Sequence, residues 1–121
     1  MCKKCAFIFV RATPQAVFHY LSAQGTILND YEVKSADPQK LKVFLKGKAN
    51  LLSWGEDITI EARSEVEMVT RVTITSDPIW SLAEEDGGRN EENMSRIAYF
   101  IYGAFPYAQM QFVGAPAQGK N

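Results

Sequence analysis

Cys2 and Cys5 stand three residues apart, and the lysines between them, Lys3 and Lys4, would favour a thiolate. A redox pair of this spacing opens a helix after a strand, whereas this one leads into the apolar run Ala6 to Val10. A zinc site needs a second pair of ligands, which the sequence lacks, so the two thiols read as incidental. His19 is the sole histidine. Ser22 is its one potential partner at helical spacing and no carboxylate joins it, which describes a surface imidazole rather than a base. None of the patterns G-x-S-x-G, G-x-G-x-x-G, H-E-x-x-H or the phosphate-binding loop occurs. Glu84, Glu85, Asp86, Glu91 and Glu92 gather around Gly87-Gly88, but the alternating ligands of a calcium loop are missing. Acidic residues in a first helical turn are accounted for by the helix dipole. No catalytic residue, metal ligand or cofactor is assigned, and an enzymatic role is the least supported reading.

What remains is aromatic. Tyr31, Trp54, Tyr99 and Tyr102 are the candidate ligand-binding residues, because rings with polar tips lining a cleft both bury and orient a small molecule. Core packing explains most such residues, but Tyr99 and Tyr102 lie off the stripe formed by Met94, Ile97 and Ile101. An apolar surface wider than one core requires implies a second contact, either a ligand or another chain.

The elements that must position these residues start from one stretch, Leu51 to Thr75. Leu52, Trp54, Ile58, Ile60 and Ala62 alternate with Asp57, Thr59, Glu61 and Arg63; after a break at 64–67, Val72 and Ile74 alternate with Arg71, Thr73 and Thr75. This is an antiparallel hairpin with one wet face. Ahead of it, Cys5 to Arg11 reads as a strand buried on both sides or as a covered edge strand, and Thr13-Pro14 opens a helix over about 14–24 with Val17, Phe18 and Leu21 as its stripe. A strand through Tyr31 and Val33, a turn at Ala36 to Gln39, and a strand through Leu41, Val43 and Leu45 follow. On that last strand Lys40, Lys42 and Lys46 share the solvent face, a solvated surface or a site for an acidic partner. After a loop from Ser76 to Arg89, Asn90 caps a final helix carrying Met94, Ile97, Ala98, Ile101 and Phe105.

The expected architecture is α+β in the order β-α-β4-α, an antiparallel sheet of about five strands with both helices on one face. Residues 1–112 form a single domain and 113–121 a flexible tail. At 121 residues there is material for one core, and 46% hydrophobic with 22% charged residues is ordinary for a globular domain. A net charge of -1 removes the positive field that nucleic-acid binding requires. The longest apolar run falls far short of the roughly 20 residues of a membrane span. No secretory segment is recognised, so a cytoplasmic location is expected.

Thr13-Pro14 after a short first strand, Ser53-Trp54-Gly55 entering a long strand, and Asp86-Gly87-Gly88-Arg89-Asn90 before the last helix give this chain a form that resembles small START-related, helix-grip (SRPBCC-like) proteins. The half-repeat of the TATA-binding protein shares the element order. The resemblance implies a small hydrophobic ligand held between the sheet and the C-terminal helix. The alternative is a protein-interaction or self-association module, a homodimer through the helix aromatics or a sheet edge, without ligand or catalysis.

Overall fold

β-Branched and small residues at every second position place their side chains on one face of a pleated ribbon. The computed structural model, which describes residues 4–28, 30–47, 55–78, 89–105 and 109–113, shows that ribbon as the long hairpin of β5 (Glu56–Val66) and β6 (Val69–Pro78). Ile60 pairs with Ile74 and Ala62 with Val72, and none of the four exceeds 3% exposure. Asp57, Thr59, Glu61 and Thr73 occupy the opposite face. The turn between the strands is tight enough to force Met68 to a φ of 64°, an unfavourable angle for a residue with a β-carbon.

Around this hairpin lie β1 (Lys4–Val10), α1 (Pro14–Ser22), β2 (Thr26–Ile27), β3 (Tyr31–Asp37), β4 (Lys42–Gly47), α2 (Arg89–Ala104) and β7 (Gln109–Val113). The strands form one antiparallel sheet in the order β2-β3-β4-β5-β6-β1-β7. Among the described residues the sheet therefore has seven strands where about five were expected. β2 has only two residues, too few to show a period, and β7 pairs with a strand a hundred positions earlier, so nothing local announces it. Because of β7, the second helix is not the last element, and Val113, expected to begin the tail, stands opposite Cys5. Residues 114–121 lie outside the described residues.

β1 sits between β6 and β7. Ala6, Ile8 and Val10 are buried on the helix side, while Phe7 and Phe9 are half-buried on the other, with the Arg71 guanidinium 5.3 Å above the Phe7 ring. Partial cover on the second face explains why this strand shows no hydrophilic alternation. Two boundaries also differ from expectation. Ser76 and Asp77 belong to β6 rather than to a loop. Leu41 and Lys40 lie in the turn before β4, where Leu41 takes a φ of 55° and its carbonyl accepts from the Ala62 N–H at 3.0 Å. The lysines that do stand on β4, Lys42 and Lys46, face Glu61 and Asp57 across the ladder, so that strip is charge-balanced.

Both helices cover the same face. Thr13 caps α1 by accepting from the Ala16 N–H at 3.2 Å, Pro14 occupies the first turn, and Val17, Phe18 and Leu21 point onto β3, β4 and β5. α2 begins at Arg89, one residue ahead of the expected cap, and lies over β6 and β1 with Met94, Ile97, Ala98 and Ile101 wholly buried. Tyr20 of α1 meets Phe100 and Phe105 at 5.5 Å each, closing the seam between the helices. Among the described residues no helix is long and apolar enough to cross a membrane.

Candidate functional site

The layer between the sheet and the helices should be apolar throughout, yet four buried positions in its phase carry polar groups: Thr70, which donates to the Ala12 carbonyl at 2.6 Å, and three others that stand together. Glu56 precedes Ile58 by two residues, Ser76 follows Ile74 by two, and Asn93 stands four before Ile97 on the α2 stripe. Their exposures are 1%, 0% and 6%. Tyr31, at the start of β3, completes the group at 2%.

Buried polar atoms need partners, and here the four residues provide them for one another. The Tyr31 hydroxyl donates to Asn93 Oδ1 at 2.6 Å. Asn93 Nδ2 donates to Glu56 Oε1 at 2.9 Å and to Ser76 Oγ at 3.3 Å. A hydroxyl donor on one side and a carboxyl acceptor on the other fix which way the amide lies. Asn93 is thus the hub through which α2 is bonded to β3, β5 and β6 at once. Gly47, at the end of β4, is part of the same fit: a β-carbon there would stand 2.8 Å from Glu56 Oε1, so any side chain would push the carboxyl away from Asn93.

The cluster reaches the surface through Arg96. Its guanidinium bonds to the Tyr31 hydroxyl and to Asp30, and both bonds hold its pKa above the ordinary value. Outside it lies a groove of about 480 Å³ lined by Leu28, Asp30, Arg96, Tyr99 and Phe100. Burial raises the Tyr31 pKa above 10.0, and the Arg96 guanidinium partly offsets this. A tyrosine that holds its proton more tightly when folded contributes stability that is full below about pH 10 and is lost as pH rises through the folded value. Urea unfolding at pH 8 and pH 11 should therefore show a smaller alkaline loss in Tyr31→Phe than in the wild type. Equal losses in the two proteins would refute this. Tyr102, whose pKa burial also raises, supplies a part that the variant keeps.

Of the residues singled out by type, Tyr31 enters the interior cluster. Tyr99 is 66% exposed and stands on the outer groove, with half-buried Tyr102 packed against it at 5.6 Å. These two are not brought together with Tyr31. Trp54 lies outside the described residues, as do Cys2 and the acidic stretch 84–86. Cys5 is buried, its sulfur 3.8 Å from Thr75 Oγ1, and His19 is exposed beside the Phe18 ring. Glu56, Ser76, Asn93 and Arg96 escaped a reading by residue type. Phase would have found the first three, since each continues an apolar series with a polar residue.

No protein-family model and no curated protein matches the sequence. Solved structures do. A START superfamily protein from Mycobacterium smegmatis superposes with a TM-score of 0.62 at 8% identity, over 86% of this chain and 97% of that one. The chain has the START-related helix-grip fold. Two more structures share it with this chain. The Aha1 dimer from Colwellia psychrerythraea superposes at a TM-score of 0.59 and 17% identity, over 85% of this chain and 96% of that one. An aromatase/cyclase, Zhui, from a Streptomyces species gives 0.52 and 13%, over 84% and 87%. In helix-grip terms α2 is the gripped helix, and the Glu56–Asn93 cluster lies between it and the sheet.

Proposed function

We propose that this helix-grip domain binds a small, mainly apolar molecule between the sheet and α2, with the polar end of that molecule meeting the Tyr31–Asn93–Glu56–Ser76 cluster. The observation that carries the reading is the convergence of four buried polar side chains from four elements on a largely apolar layer. A few placed polar groups within an apolar lining are what fixes the orientation of a small ligand. Its fold neighbours include a START superfamily protein and an aromatase/cyclase, which supports a small-molecule role for this fold. Arg96, bonded to Tyr31 and lining the outer groove, supports approach of the ligand from that side. The reading assigns binding and no bond-making step.

A fluorescent apolar dye, titrated into the protein and then displaced by medium-chain fatty acids and by aromatic carboxylic acids, tests it. Saturable displacement is expected, and Asn93→Leu, which keeps volume but removes both hydrogen-bonding directions, should weaken it about tenfold or more, in line with the cost of an unpaired polar ligand group. A folded protein that binds neither the dye nor any of these competitors at millimolar concentration would overturn the reading.

A further inference from the structure

The two edges of the sheet are built differently. At one end, β2 covers only the first residues of β3, pairing Thr26 with Glu32 and Ile27 with Tyr31. The rest of β3 is guarded by a register shift between Val33 and Ser35, by Lys34, and by Asp37 leading into Pro38. Charges, a bulge, a very short edge strand and a proline are the features that stop a sheet from pairing with another chain.

The other edge has none of them. β7, Gln-Met-Gln-Phe-Val, carries no charge, no proline and no glycine, and its five pairs with β1 run without a bulge. Among the described residues no strand lies beyond it. Among the described residues, then, no strand pairs with the outward N–H and C=O groups of alternate β7 residues, which form a regular ladder half on an uncharged strand.

We propose that the partner is a second copy of this chain, joined antiparallel through β7 into a continuous sheet across a two-fold axis. Self-complementarity selects this occupant. With Gln111 at the axis all five residues pair, Met110 opposite Phe112 and Gln109 opposite Val113 of the other copy, and Gln111 opposite itself. Residues directly opposite share a face, so the apolar positions Met110 and Phe112, in register with Ile8 and Ala6 of the helix-facing row, meet only each other. A neutral strand brings no like charges together at the axis, which an isologous contact would otherwise duplicate. Binding by strand addition draws its affinity from the main chain and its selectivity from such alternate positions.

The test places charge at the axis. Gln111 is in register with half-buried Phe7, on the face away from the helices, so changes there leave the core alone. Sedimentation of the wild type should show a concentration-dependent dimer. Gln111→Lys and Gln111→Glu alone should each weaken it about tenfold or more, and an equimolar mixture of the two should restore it. Should either variant fold poorly, Gln111→Cys in a Cys2→Ser background replaces them and should form an intermolecular disulfide on mild oxidation, which Gln109→Cys, with no copy of itself opposite, should form far less readily. A wild type that stays monomeric to about 0.5 mM, a concentration at which even small specific interfaces are populated, overturns the proposal. So does a dimer indifferent to charge at 111, which would lie on another surface such as that of Tyr99. Neither result bears on dye binding at the interior cluster.

Discussion

Asn93→Ala is expected to lower the unfolding free energy by about 2–4 kcal/mol, the largest effect of any single polar substitution in this molecule. The side chain is 6% exposed and makes three hydrogen bonds, to Tyr31, Glu56 and Ser76. Truncation removes all three at once and leaves two hydroxyls and a carboxyl group to adjust inside the core. Water entering the space left behind would recover part of the loss, which is why the sum stays below that of three isolated bonds. Urea unfolding provides the measurement: the midpoint should drop while the slope stays constant, since the surface exposed on unfolding barely changes. A loss under about 1 kcal/mol would mean that the hub does not hold α2 to the sheet.

Ile97→Ala should cost as much or more, roughly 3–5 kcal/mol, because it leaves a cavity at the centre of the interface between α2 and the sheet. Ile97 is completely buried, and the residues around it, Met94, Ala98 and Ile101 on the helix, are equally so. Ile60→Ala on β5 is expected to match it from the other side of the same layer, where Ile74 and Val43 stand opposite on the neighbouring strands. Lys46→Ala, on the solvent face opposite Asp57, should fall within about 0.5 kcal/mol of the wild type. Comparable losses for Lys46 and Ile97 would show that the assignment of inner and outer faces is wrong.

The inner face was readable because a period of two over Ile58 to Ala62 and again over Val72 and Ile74 leaves no choice of which side is dry. Both helices were equally plain, from Thr13-Pro14 in one case and from the spacing of Met94, Ile97, Ala98 and Ile101 in the other. The edges were not, since β2 is shorter than a period and β7 is defined by a partner far away in sequence. The interior cluster was hidden for a different reason. Residue type says that Glu56, Asn93 and Ser76 belong in water, and only their phase says that they point inward. Tyr31 was singled out for its ring, and its hydroxyl proved to be what joins it to the others.

The position of β1 has a consequence for the order of assembly. Both of its neighbours lie far along the chain, Ile8 pairing with Val72 on one side and Met110 on the other. The meander from β3 to β6, in which successive strands pair with one another, closes smaller loops and is expected to form first; the amino-terminal strand then adds against β6, with β7 on its far side. In stopped-flow refolding, a conservative truncation at Ile8 should accelerate unfolding with little change in the folding rate, whereas Ile60→Val should slow folding. The reverse pattern would place the first strand in the nucleus.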